Sequence, residues 1–129
     1  MPIEYVLDRA RQRLTIVGRD PVGEPDVVEW LERQAVDGAW AYGALVDLRL
    51  VAWNPTTEEI RRILRWVVTL SVLRGPRGPV AVVATQPALF GMAHMYSALS
   101  EQAVEAFYEL AEAERWLDAH QAPQSGFPA

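Results

Sequence analysis

The sequence predicts one small α/β domain built on a largely parallel sheet, and three observations carry that prediction. Ala44-Leu45-Val46-Asp47-Leu48 and Val80-Ala81-Val82-Val83-Ala84 are short, almost continuously apolar runs. Such runs suit strands covered on both faces. Segments with helical spacing and helix-start signals separate and follow them, so strand and helix alternate along the chain. Half of the 129 residues are hydrophobic, which is enough for one core without disulfides or a structural metal.

The chain opens in period two. Ile3, Tyr5 and Leu7 alternate with Glu4 and Asp8, and Leu14 and Ile16 alternate with Arg13 and Thr15. The polar segment Asp8 to Gln12 lies between, so the first two strands form an antiparallel hairpin. Gly18 to Pro25 reads as loop. A first helix starts near Glu24, with Pro25 in its first turn and Glu24, Asp26 and Glu29 near the positive end of its dipole. Val27, Val28, Leu31 and Ala35 form its buried stripe, and Asp37-Gly38 stops it.

After the third strand, Asn54-Pro55-Thr56-Thr57-Glu58-Glu59 is a strong helix start. Either Asn54 or Thr56 can cap, and Glu59 stands three residues after Thr56 as a capping box requires. This helix should run to about Arg74, where Gly75-Pro76-Arg77-Gly78 ends it. Gln86-Pro87 opens a third helix through about Leu99. A last strand is expected near Ala103 to Phe107 and a final helix from about Glu109 to Ala119. Residues 1–119 thus form one domain of order ββαβαβαβα, and residues 120–129 read as a frayed tail.

Composition removes several classes of function. The chain has no cysteine, so disulfides, thiolate metal sites and a cysteine nucleophile are excluded. Every basic side chain is Arg, and the formal net charge is −5, a balance that argues against nucleic-acid binding. Two distant His without His-x-x-x-His or Glu-x-x-His spacing offer no metal site. No apolar run reaches the roughly 20 residues that span a bilayer, and no signal peptide is expected before the strand-like start. The reading is a cytoplasmic protein with no cofactor.

The order of motifs resembles the STAS-like (SpoIIAA-like) domains, and more narrowly the stand-alone bacterial SpoIIAA-like proteins of poorly defined function. The residues that carry this are Leu45-Val46-Asp47-Leu48-Arg49 ending the third strand and Thr57-Glu58-Glu59-Ile60 opening a helix. Phe90-Gly91-Met92-Ala93-His94-Met95 and the closing Phe107 with Ala113-Glu114-Arg115-Trp116-Leu117 complete it. The resemblance implies a mostly parallel five-stranded sheet with one antiparallel strand and four helices, in a regulatory binding module. The antagonists of this family carry a phosphorylatable Ser in an Asp-Ser-Ser-Gly-like turn after the third strand. Here the turn reads Trp53-Asn54-Pro55-Thr56-Thr57, without the Ser or the Gly, so the phosphoswitch is not carried over. Helix capping accounts better for the two Thr.

The candidate sites follow from placement. Asp47 and Arg49 share one face at the carboxyl end of a central strand, where ligands collect in open parallel sheets. They are either a polar anchor for a ligand or partner, or an ion pair that fixes the next loop, and the second is favoured. Trp53, Asn54, Thr85, Phe90, His94 and Met95 would line a groove at the same edge. His94 as a general base would need a carboxylate orienter, and no acid lies between Thr85 and Glu101. On the third helix, Leu89, Met92, Ala93, Tyr96 and Leu99 make a core stripe. Gly91 there calls for close approach by a neighbouring helix or a ligand. On the second helix, Ile60, Ile63, Leu64, Val67 and Ser71 face the sheet. Trp66, Leu70 and Leu73 form a second stripe rimmed by Arg62 and Arg65. That stripe suits self-association as a homodimer, or packing against a flanking helix or the tail. The function expected is a non-enzymatic binding module for a partner protein or a small apolar ligand. The alternatives are a lipid-carrier-like domain with an apolar cavity, or a small hydrolase or transferase using His94.

Overall fold

The computed structural model describes residues 3–121. It orders β1 (Ile3–Asp8), β2 (Arg13–Arg19), α1 (Glu24–Val36), β3 (Gly43–Leu50), α2 (Thr57–Arg74), β4 (Val80–Val83), α3 (Pro87–Leu99), β5 (Val104–Phe107) and α4 (Leu110–His120). The five strands lie side by side in chain order, β1-β2-β3-β4-β5. β1 pairs with β2 antiparallel, and every other pairing is parallel. The predicted order ββαβαβαβα is therefore the observed one.

Register fixes which side chains go where. Tyr5, Ile16, Val46, Val82 and Ala106 are aligned in one row across the sheet. With Leu14, Ala44, Leu48, Val80 and Val104, most of this parity packs beneath α1, α2 and α3 in the larger core. Leu45, Ala81 and Val83 have the opposite parity and meet Ala113 and Leu117 of α4 in a second, smaller core. Each crossover advances one strand in the same direction, so a common hand puts all three crossing helices on one face. Only α4 covers the other.

Local chemistry explains the helix starts. Thr56 caps α2, its Oγ1 accepting the Glu59 N–H at 3.1 Å while Glu59 Oε1 accepts the Thr56 N–H at 2.9 Å. Of the two residues able to cap, Thr56 is used. At α1, Gly23 is the cap residue, and the Asp26 carboxylate accepts the Gly23 N–H at 2.9 Å. The α1 stripe also buries Trp30 and Gln34, whereas Val28 is only half-buried.

Two expectations change. The second stripe predicted on α2 is not a free face. Leu70 is 7 % exposed and belongs to the core, because it stands three residues after Val67 and seven after Ile63, in phase with the buried stripe. Trp66 is half-buried against that core; of the predicted stripe Leu73 alone is exposed as expected, and Val68 and Val72 join it on the outside.

The second change concerns the tail expected from residue 120. His120 is the last residue of α4, its ring stacked on Trp116 with centroids 4.3 Å apart and its Nδ1 donating to the Trp116 carbonyl at 2.9 Å. The Gln121 amide donates to the carbonyls of Arg11 and Gln12 at 2.8 and 2.6 Å. Its oxygen accepts from Arg13. Residues 122–129 lie outside the described residues.

Replacing Thr56 with Ala removes the cap and leaves the first turn of α2 short of an acceptor. The variant is expected to lose about 1 kcal/mol of stability, read as a lower urea midpoint with unchanged slope.

Candidate functional site

Asp47 and Arg49 form a closed pair at the end of β3. Asp47 Oδ1 accepts from the Arg49 backbone N–H at 3.1 Å and from Nε at 2.9 Å, and Oδ2 accepts from a terminal guanidinium nitrogen at 2.8 Å. Burial pushes the Asp47 carboxyl up, but these bonds outweigh it and hold the group below the usual carboxylate range. Both carboxylate oxygens are already used. By parity Asp47 lies with Leu45, on the sheet face that α4 covers, and all three bonds stay within β3.

Four of the remaining expected groove residues stand near the carboxyl ends of β3 and β4, and two lie further along α3. Trp53 and Asn54 follow β3, Thr85 follows β4, and Phe90, His94 and Met95 belong to α3. Asn54, Thr85 and His94 are exposed, while Trp53, Phe90 and Met95 are half-buried. Phe90 stacks on Tyr108, just past β5, with centroids 3.8 Å apart and rings 9° from parallel. Eight residues expected as one site thus divide: Asp47 and Arg49 pair on one face, Trp53, Asn54, Thr85 and Phe90 stand near the carboxyl ends of the strands, and His94 and Met95 lie further along α3 as it runs back toward the start of β5.

His94 has no hydrogen bond among the described residues. The nearby Ser97 hydroxyl donates to the Val104 carbonyl and is not held by an imidazole. Gly91 has nothing within 4 Å of where a Cβ would stand. Its place in α3 is therefore not explained by packing among the described residues.

An apolar cavity of about 80 Å³ lies between the sheet and α1, α2 and α3; the sequence offered a cavity only as an alternative and missed its place and its charged residue. Val46, Val82, Ile63, Leu89 and Trp53 are among its walls, and Arg77 is its charged lining residue. Arg77 comes from the turn that joins α2 to β4. Gly75, at φ 89°, ends the helix, and Gly78 lets the chain press against the carbonyls of Ala41 and Tyr42, which a Cβ would strike. Between them the Arg77 side chain turns inward and is 8 % exposed. It donates to Gln34 Oε1 at 3.2 Å, and its guanidinium lies 5.1 Å from the centre of the Trp40 ring. Its Nε has no partner. Gln34, itself fully buried, was the readable signal: a polar residue three positions after Leu31 on an apolar stripe.

Among the described residues no group of three or more His, Cys, Asp or Glu is placed to hold a metal ion. None of the helices there is long and apolar enough to cross a membrane. No protein-family model matches the sequence, and no curated protein matches it. The fold does have a solved counterpart. The crystal structure of an anti-sigma factor antagonist from Mycobacterium paratuberculosis superposes with a TM-score of 0.58 at 15 % identity, over 90 % of this chain and 94 % of that one. The chain has a STAS-type fold. With the strand order and mixed pairing above, the resemblance read from the sequence holds at the level of architecture.

The depressed Asp47 pKa gives a signed pH dependence. Its contribution to stability is complete above the unfolded value of about 3.9 and is lost as pH falls through the lower folded value. Asp47→Asn should be less stable at neutral pH. It should also show a flatter acid limb below about pH 4 when urea unfolding is followed across pH.

Proposed function

We propose that this domain is a non-enzymatic regulatory module that binds a partner protein along the outer face of α3 and the adjoining ends of β3 and β4. The observation that carries the reading is Gly91. A glycine inside a helix costs about 1 kcal/mol relative to Ala, and here no neighbour among the described residues requires it. A partner backbone laid against α3 would require it.

The surroundings agree with that use. α3 contains no Asp, Glu, Lys or Arg, and its buried residues are Leu89 and Ala93 alone. Its outer side therefore presents Ala88, Gly91, His94 and Ala98 to solvent without a formal charge. Phe90, stacked on Tyr108, adds an aromatic edge beside it, the residue type that anchors interfaces. The solved counterpart is an anti-sigma factor antagonist, a name that implies a protein partner for it.

Catalysis by His94 finds no support in its surroundings, since neither a carboxylate nor a hydroxyl is bonded to it among the described residues. A carrier of long-chain lipid needs more room than about 80 Å³, which is about half of an engineered cavity that admits benzene. Self-association has a specific basis, at a patch that keeps Leu73 but not Leu70 from the stripe read in the sequence. Arg62 is held by Glu24 of α1 at 2.8 Å and Arg65 by Glu58 at 3.6 Å. Val68, Val72 and Leu73 are 61 %, 81 % and 72 % exposed on α2 and would form the contact. Sedimentation of wild type against Val72→Glu decides this: a monomer at every concentration removes the second reading.

The main reading is tested at Gly91. Gly91→Ala should raise stability by about 0.5–1 kcal/mol, whereas Gly91→Arg should fold normally because its side chain meets open space. A photo-cross-linker at Ala98 should trap one protein in the native cell, and Gly91→Arg should abolish that product. An adduct that survives Gly91→Arg would refute binding on this face.

A further inference from the structure

Six of the twelve arginines stand within 4 Å of a carboxylate, all at the surface except Arg13. Arg13 is as enclosed as Arg77, and it has the Asp118 carboxylate at 2.9 Å. Arg77 has no ion pair among the described residues. Its neighbours are neutral: the Gln34 amide oxygen, the Trp40 ring and the Tyr96 phenol. Gln34 lies in the last turn of α1, whose carboxyl end adds a partial negative charge. A whole one is missing. An enclosed charge without a counter-ion costs several kcal/mol, and the chain, at net −5, is not short of carboxylates to place there.

The cavity beside this guanidinium is walled by aliphatic and aromatic side chains, with Val46 and Val82 from the sheet and Ile63, Leu89 and Met92 from the helices. A ligand that satisfies both parts has an anionic fork at one end and a short apolar body. We infer that the cavity receives a short-chain monocarboxylate, its carboxylate on the Arg77 guanidinium and its chain against Val46, Val82 and Leu89. A planar carboxylate matches two parallel N–H donors of a guanidinium; the Arg77 Nε is itself buried, so the ligand meets the guanidinium at its terminal nitrogens. The Tyr96 hydroxyl, also lining the cavity, supplies a further donor. A volume of about 80 Å³ restricts the enclosed body to a few carbon atoms. The inference does not rest on the outer face of α3, because the residues involved are on its inner side.

Butyrate is the probe, with 1-butanol as the chain-matched neutral control and inorganic phosphate as the anion without a chain. Calorimetric titration of the full chain should show saturable butyrate binding, with Tm rising as butyrate is added. Butanol and phosphate should each bind at least about tenfold more weakly. In a nitrogen-15-labelled sample the Arg77 Nε–H resonance should shift along the butyrate titration. Arg77→Met, checked for folding by circular dichroism, should lose the preference for butyrate over butanol. If that variant fails to fold, the Nε–H titration of the wild type still decides. No saturation by about 10 mM butyrate, equal binding of butanol, or an unmoved Arg77 Nε–H would each overturn the assignment. Phosphate binding as well as butyrate would do the same, showing an anion site without the apolar half.

Discussion

β3 is apolar on both of its faces, and the rest of the structure answers that fact. Ala44, Val46 and Leu48 point to one side and Leu45 to the other, so neither side can be left to water. Chain order and a common crossover hand send α1, α2 and α3 to the same side. The opposite side then depends on a single helix. α4 lies over β3, β4 and β5, and the small side chains of Ala81 and Ala113 sit in the layer between helix and sheet. Its apolar packing stops at β3, and Val6 on β1 is left half-exposed. Arg13 makes the connection instead, drawing Asp118 and Gln121 toward β2.

The crowded side pays a different penalty. Three helices laid side by side over a twisted sheet do not fill every space between them, and the gap is the cavity under Leu89, Ile63 and Trp53. The α2–β4 turn delivers Arg77 into the same layer because Gly75 and Gly78 permit a backbone path that other residues would not. Charge and void are thus products of one topology, as is the exposed outer face of α3. That helix has neighbours in β5 and α2, and it is flanked on its outer side by nothing else among the described residues.

Much of this architecture was legible in the sequence, because it rests on local rules. Period two at Ile3, Tyr5 and Leu7 gave the hairpin, the apolar runs gave β3 and β4, and Thr56 with Glu59 gave the start of α2. Its buried stripe was harder. Leu70 and Leu73 differ by three positions, yet one is core and the other exposed, since only Leu70 keeps phase with Ile63 and Val67. Asp47 and Arg49 were rightly seen as sharing a face, but which face that is follows from where α4 packs. Arg77 was read as part of a turn, and the turn is real. Nothing in Gly75-Pro76-Arg77-Gly78 says that the side chain enters the core, since that depends on Gln34 and Trp40, some forty residues earlier.

A sheet whose spatial order equals its chain order can grow at its newest edge. Each strand docks on the one completed before it, and none has to be inserted between two already paired. Closures between successive units stay short, which favours rapid formation. α4 is the exception. It turns back from β5 across β4 to β3, and Gln121 meets Arg11 and Gln12 from more than a hundred residues away. Until that last helix lands, Leu45, Ala81 and Val83 lie bare on an otherwise finished sheet. The nascent domain is then a slab with one greasy side, and that interval is when self-adhesion or a chaperone would compete with α4 for it.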